Sequence, residues 1–231
     1  MQASSATSWS TSGRGNGTYH YRVQACNAAG CSAWSSTASV GVLLPPSSAP
    51  TLSVPGNSYN GSYTVSWSSV STPAAVQYTL QEQANGGTWT TVQPPPNGAT
   101  SWSTSGRGNG TYGYRAQACN VAGCGPWSST ANITVILPPS SAPGGLSVSA
   151  SGPSSSTFVT VTWNQVATAT QYNVEQTNPG NVVSTPYSGN STGFGQVIRV
   201  NGTVKFRVQA CNAGGCSGWS GYVSILLASG N

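Results

Sequence analysis

The chain has 231 residues, only 4% of them charged, and a formal net charge of +5 from seven basic and two acidic side chains. The positive charges are spread along the chain instead of being clustered, which argues against nucleic-acid binding. The longest apolar runs, such as 40–44, are far shorter than the roughly 20 residues of a membrane span, so no span is expected. Eight tryptophans and ten tyrosines provide apolar area for a core, and the sequence therefore predicts a folded chain.

One segment, which ends in Cys-Asn-x-x-Gly-Cys, occurs three times. Its copies span 21–31, 114–124 and 206–216, and a Trp-Ser pair follows each. Their spacing of about 92 residues suits independent domains in tandem better than the short units of a solenoid. The expected domains are a partial repeat at 1–46 that holds the last strands only, and full repeats at 47–139 and 140–231.

The first repeat begins in mid-domain. Residues 5–46 align with 98–139, so the first four strands of a full repeat have no counterpart here. We expect either a fragment of a longer array or a repeat that strands of another chain complete.

Strand-like alternation of apolar and polar residues recurs along the chain, and helical periodicity is absent. Asn-Gly-Thr turns begin at Asn16, Asn109 and Asn201. The fold class predicted is all-β, with seven short antiparallel strands in each full repeat arranged as a sandwich. The alternating segments are Tyr63–Trp67, 76–80, 159–163 and 172–174.

The alternation also assigns faces to the sixth strand of each repeat. In the first repeat, Tyr19, Tyr21 and Val23 point to the core, whereas Arg22 and Cys26 point outwards. The tryptophans of the Trp-Ser pairs reach the outer face from the neighbouring strand, so they should stack on the arginines as cation–π pairs. The expected pairs are Arg22–Trp34, Arg115–Trp127 and Arg207–Trp219.

These features resemble fibronectin type III domains, and the resemblance covers essentially the whole chain. The residues that carry it are Ser-Ala-Pro at 48–50 and 141–143, Trp67 and Trp163 on the second strand, and corner tyrosines at Tyr19 and Tyr112, with Val204 at that place in the last repeat. The resemblance implies tandem seven-stranded Ig-like sandwiches with Trp67 and Trp163 in their cores. It specifies fold far better than function.

All six cysteines fall in C-x4-C pairs. Each pair brackets an Asn-x-x-Gly loop, a separation suited to a disulfide across a hairpin. Two thiolates without a local histidine fall short of the four ligands of a zinc site, so neither metal nor cofactor is expected. Disulfides indicate an oxidising, extracellular compartment. The expected pairs are Cys26–Cys31, Cys119–Cys124 and Cys211–Cys216.

The sequence offers little for catalysis. Acid–base hydrolysis needs two neighbouring carboxylates, yet Glu82 and Glu175 lie in different repeats. His20 is the only histidine, its counterparts are Gly113 and Lys205, and the chain contains no aspartate to orient it. We therefore expect no enzymatic activity.

Three tryptophans are candidates for stacking on sugar rings. Trp9, Trp89 and Trp102 stand among Ser, Thr and Asn residues, whose polar groups suit hydroxyls. Trp9 and Trp102 occupy matching positions, with Phe194 as the third member. Such repetition is more typical of a packing position, so the second hypothesis is a carbohydrate- or surface-binding module attached to a secreted hydrolase.

The first hypothesis is a structural role. The linkers 44–50 and 137–143 are nearly identical and rich in proline, which favours an extended, stiff rod. The chain would space or assemble an extracellular adhesin, filament or multidomain secreted protein. Its expected partners are other protein chains or further repeats of the same protein, through strand complementation or fibre assembly, with polysaccharide as the alternative and no nucleic acid.

Overall fold

The computed structural model describes residues 6–71, 75, 77–92, 98–153 and 156–228, and every regular element in them is a β-strand. The strands of the first 46 residues are β1 (Gly17–Tyr21), β2 (Cys26–Asn27), β3 (Gly30–Cys31) and β4 (Ala38–Val42). Those that follow are β5 (Leu52–Ser53), β6 (Asn57–Ser58), β7 (Tyr63–Trp67), β8 (Gln77–Ala84), β9 (Thr90–Thr91), β10 (Ser101–Thr104), β11 (Gly110–Asn120), β12 (Gly123–Trp127) and β13 (Ala131–Val135). The last are β14 (Ser147–Ser151), β15 (Thr157–Thr162), β16 (Gln171–Asn178), β17 (Val182–Gly189), β18 (Gly193–Ile198), β19 (Gly202–Asn212), β20 (Gly215–Cys216) and β21 (Val223–Leu227).

The all-β fold class is therefore confirmed. The strand predicted at 76–80 begins at Gln77, and Val76 lies outside the described residues. In the part of the chain that the structure describes, no helix is long and apolar enough to cross a membrane.

Spatial contacts divide the chain into two compact units that are interleaved in sequence. The first comprises Met1–Val54, Thr64–Trp102 and Gly113–Asn132, and the second comprises Pro55–Tyr63, Ser103–Tyr112 and Ile133–Asn231. These units do not follow the 92-residue period of the sequence, and the boundaries at 1–46, 47–139 and 140–231 stay predictions.

The last repeat, which lies within the second unit, is a sandwich of two antiparallel sheets. One sheet has the order β14-β15-β18, and the other has the order β17-β16-β19-β20, with β21 also paired to β19. Apart from the two-residue β20, the sandwich has three strands in one sheet and four in the other. Seven strands in a three-plus-four arrangement are typical of an Ig-like sandwich. Its core contains Val159, Val161, Trp163, Tyr172 and Phe206, all almost fully buried.

The strand alternation predicted from sequence explains this core. In β15, Val159 and Val161 are buried whereas Phe158 and Thr162 are exposed, because successive side chains point to opposite faces. The β-branched residues suit this half-buried environment.

Two further sheets carry the preceding repeat. One has the order β10-β7-β5, and the other has the order β6-β13-β11-β8-β9, with β12 paired to β11. Trp67 is 5% exposed and lies 6.0 Å from Tyr78 between ring centroids, while Trp163 is 5% exposed and lies 5.6 Å from Tyr172. Both tryptophans therefore occupy the core positions that the resemblance implies.

The first repeat contains two small paired elements. β1 pairs antiparallel with β4, and β2 pairs with β3. Several apolar residues of this repeat are open to solvent, with Val23 71% and Val40 48% exposed, so the side of the strand that the sequence assigns to a core is uncovered at Val23.

Candidate functional site

The three C-x4-C segments are disulfide-bonded hairpins of one design, which we call the clasp hairpins. The bonds join Cys26 to Cys31, Cys119 to Cys124 and Cys211 to Cys216. In each hairpin the asparagine Oδ1 accepts a hydrogen bond from the backbone N–H two residues on, as in an Asx-turn. The pairs are Asn27 with Ala29 (2.8 Å), Asn120 with Ala122 (2.9 Å) and Asn212 with Gly214 (2.7 Å).

This turn leaves the asparagine Nδ2 as a donor, and in the second clasp hairpin Nδ2 binds the linker. Asn120 Nδ2 donates to the carbonyl of Leu44 at 2.9 Å. The backbone N–H of the same leucine donates to Asn16 Oδ1 at 2.6 Å. Both backbone polar groups of Leu44 are thus held by asparagine side chains, one from before the linker and one from well after it.

The third clasp hairpin repeats this arrangement. Asn212 Nδ2 donates to the carbonyl of Leu137 at 2.9 Å, and the N–H of Leu137 donates to Asn109 Oδ1 at 2.5 Å. Asn212 Nδ2 also lies 3.2 Å from the carbonyl of Thr168. The same pair of asparagine bonds therefore holds the leucine of both linkers.

The prolines of the linkers pack against the clasp glycines. A Cβ atom at Gly123 would lie 3.2 Å from Cγ of Pro45, and one at Gly215 would lie 3.3 Å from Cγ of Pro138. Both glycines have positive φ angles, 138° and 130°, so the position requires glycine for its backbone as well as for the close approach. The buried linker prolines are Pro46, Pro50, Pro139 and Pro143.

The burial of the cysteines corrects one expectation. Strand parity places them on the outer face, yet Cys119 and Cys211 are only 9% and 6% exposed, whereas Cys26 is exposed. In the last repeat, Asn173 Nδ2 lies 3.4 Å from Cys211 Sγ. In that repeat a neighbouring amide therefore lies against an outer-face sulfur, which strand parity alone does not reveal.

The predicted arginine–tryptophan stacks are all present. Arg22, Arg115 and Arg207 lie 4.5, 4.6 and 4.9 Å from the ring centroids of Trp34, Trp127 and Trp219. In the last repeat, Arg207 also forms two 2.8 Å bonds to the Glu175 carboxylate. This hydrogen bonding lowers the pKa of Glu175, with help from Tyr222, whose hydroxyl donates to the carboxylate at 2.9 Å.

The three candidate sugar-stacking tryptophans have different local partners. Trp89 stacks on Arg115 at 4.4 Å and so extends the arginine ladder. Trp102 is half-buried and lies 6.1 Å from the ring of Tyr114. Trp9 alone is strongly exposed, at 57%, with Tyr21 5.6 Å away.

The acidic and imidazole side chains have structural partners. Glu82 is buried and accepts a 2.6 Å bond from the hydroxyl of Tyr114, while Glu175 is paired with Arg207. His20 is exposed, with Nδ1 2.6 Å from Ser39 Oγ. Among the described residues, no group of three or more His, Cys, Asp or Glu side chains could hold a metal ion.

The four linker-anchoring asparagines are the functional residues that sequence reasoning missed. The sequence alone places Asn16 and Asn109 in turns and Asn120 and Asn212 in hairpin loops, and it does not show that they bind a linker. One pattern in the sequence could have pointed to these residues. Each Leu-Pro-Pro linker has an Asn-Gly-Thr turn 28 residues before its leucine and a Cys-Asn hairpin 75 or 76 residues after it.

No protein-family model matches the chain, and no curated protein was found to be similar to it. Among solved structures, it is similar to the FN1–FN3 domains of chicken CNTN1, at 21% sequence identity and a TM-score of 0.45. That match covers 92% of this chain and 76% of the other. The sandwich fold itself is established by the strand order and the buried core of this chain.

Proposed function

We propose that the chain is a structural array that spaces or assembles parts of an extracellular adhesin, filament or multidomain secreted protein. The observation that carries this proposal is the two-sided anchoring of Leu44 and of Leu137 by asparagine side chains. A tether that only joins two domains needs no such contacts, whereas a spacer that transmits a fixed geometry does.

Other features support the same role. Three disulfides suit an oxidising compartment outside the cell. Five of the seven basic side chains stack on aromatic rings, as with Arg115 between Trp89 and Trp127. Arginines held against aromatic rings in this way stabilise a sheet face, which suits a structural role.

The test is a measurement of linker stiffness. Spin labels carried by an unnatural amino acid at the exposed Thr91 and Ser184 flank the linker 137–143. We expect a narrow distribution of distances in the native protein and a clearly broader one in the double variant Asn109→Ala/Asn212→Ala, because both anchors of Leu137 are then lost.

The matched control is Asn27→Ala, which changes the same type of hairpin without touching this linker, and it should leave the distribution narrow. A broad distribution in the native protein, or no change in the double variant, would refute the proposal.

Carbohydrate binding keeps one supporting observation. Trp9 is 57% exposed and lines an open groove with Tyr21, Arg22 and Ser35. Soluble oligosaccharides that bind there should quench tryptophan fluorescence in the native chain but not in Trp9→Ala. Equal quenching in the two proteins would rule out this groove as a sugar site.

A further inference from the structure

The clasp hairpins share one backbone geometry but differ in what covers them. Gly30, Gly123 and Gly215 have φ angles of 136°, 138° and 130°, so the three loops follow the same path. Each loop closes on a disulfide and on the same asparagine Asx-turn. A ligand that fits one of them should therefore fit the others.

Two of the clasp hairpins already hold a ligand from this chain. In both, the asparagine Nδ2 donates to a leucine carbonyl at 2.9 Å, and the following proline ring lies over the clasp glycine. The leucine and proline belong to Leu-Pro-Pro in each case. Proline favours the extended conformation that presents the preceding carbonyl to a donor.

The hairpin Cys26–Cys31 has the same groups, but none of the described residues occupies it as such a ligand. A Cβ atom at Gly30 would have nothing within 4 Å, whereas its equivalents would meet a proline ring. Asn27 Oδ1 is used by its turn, and within the described residues Nδ2 has no acceptor. An open groove of about 470 Å³ lies over this hairpin and is lined by its residues and by Ala25 and Ser32.

The uncovered surface continues onto the adjoining strand. Val23 is 71% exposed, although the residues at its position in the other repeats, Ala116 and Val208, are fully buried. Ala25 is also exposed, whereas the equivalent Ala118 is fully buried. The groove thus opens onto a face that is core elsewhere in the chain, which fits a partner that brings strand residues behind its linker.

We propose that the hairpin Cys26–Cys31 is a docking site for a Leu-Pro-Pro-Ser-Ser-Ala-Pro segment supplied by another repeat of this kind. Asn27 Nδ2 would donate to the leucine carbonyl, and the first proline ring would lie over Gly30. The inference rests on the proposed function, since it takes the linker contact as the joint of the array. The inference adds to the proposed function a specific site, the hairpin Cys26–Cys31, at which a further repeat binds this chain.

The probe is a blocked peptide with the sequence of residues 44–50, titrated into the isotope-labelled full chain and followed by NMR. We expect saturable shifts of the Asn27 side-chain amide and the Gly30 N–H, with a dissociation constant on the order of 1 mM because the contact is small. A scrambled peptide of the same composition should leave both signals in place.

The variant Asn27→Asp keeps the Oδ1 acceptor of the turn and removes the Nδ2 donor, so the hairpin should still fold. It should weaken binding about 3- to 10-fold, the effect of one hydrogen bond. Asn190→Asp, at an exposed position of the last repeat, controls for the added negative charge and should bind as the native chain does.

A longer peptide of residues 44–67, which adds strand residues behind the linker, should bind at least tenfold more tightly by covering the open face. Equal affinity of the two peptides would show that the partner is not a repeat. Failure of the shifts to saturate, equal shifts with the scrambled peptide, or full binding by Asn27→Asp would overturn the site. None of these results depends on the stiffness of the linker 137–143, so the proposed function is tested separately.

Discussion

At the scale of single residues, equivalent buried polar side chains in two repeats find hydrogen-bond partners of different types. In one repeat the buried Glu82 accepts a hydrogen bond from the hydroxyl of Tyr114. The equivalent pair in the next repeat is Gln176 and Phe206, and since phenylalanine has no hydroxyl, Gln176 bonds Gln196 instead. Sequence comparison of the repeats shows the two substitutions but not their coupling, which depends on which side chains meet inside the sheet.

The pair Glu175–Arg207 predicts a dependence of stability on pH. Arg207 holds the pKa of Glu175 below its ordinary value, so the unfolded state binds more protons between the folded and unfolded pKa values. The stabilisation is therefore complete above the unfolded pKa of about 4.3 and is lost as pH falls through the lower folded value. Glu175→Gln should lose stability at pH 7 and show a flatter acid limb in urea unfolding from pH 7 to pH 2.

The chain contains its own control for this prediction. Gln81 takes the place of Glu175 opposite Arg115, to whose guanidinium its Oε1 accepts bonds of 2.9 and 2.7 Å. Gln81→Glu should therefore gain stability at pH 7 and lose that gain in acid. An acid limb of unchanged slope in Glu175→Gln would mean that the ion pair contributes nothing to folding.

Among the elements, strands and disulfides were predictable while the linker anchors were not. Strand alternation and the C-x4-C spacing are local patterns, so β7 and β15 and the three cysteine pairs could be read from neighbouring residues. The bonds from Asn120 to Leu44 and from Asn212 to Leu137 join residues 76 and 75 positions apart. No local propensity encodes such a contact, and only the folded chain brings the hairpin to the linker.

Clasp glycines allow the contribution of the linker contact to be isolated. The backbone has nearly the same positive φ at Gly30 and at Gly123. Substitution by alanine at either position should therefore lower the free energy of unfolding by a similar amount, about 1–3 kcal/mol. Only at Gly123 would the new Cβ also approach Pro45, at 3.2 Å. We expect Gly123→Ala to speed hydrogen exchange at the Leu44 N–H, which Asn16 holds, whereas Gly30→Ala should not. Equal exchange in both variants would mean that the proline contact does not hold the linker.

At the scale of the whole molecule, exposed apolar residues occur in all three repeats, and in the first repeat several of them lie next to one another. Trp9, Tyr21, Val23 and Val40 line one open groove of about 650 Å³. Val121, by contrast, is 89% exposed at the tip of a clasp hairpin and is not part of that groove. Contiguous apolar surface tends to associate, whereas an isolated exposed valine does not.

This contrast predicts how the chain behaves in dilute solution. Without a partner segment, the groove should drive self-association, so the sedimentation coefficient should rise with protein concentration. Val23→Lys places a charge in the groove and should suppress the rise, while Val121→Lys adds the same charge elsewhere and should not. The peptide of residues 44–67 should suppress association in the native chain, because it competes for the same face. A sedimentation coefficient independent of concentration, or equal effects of the two lysine substitutions, would show that the exposed face is not an assembly surface.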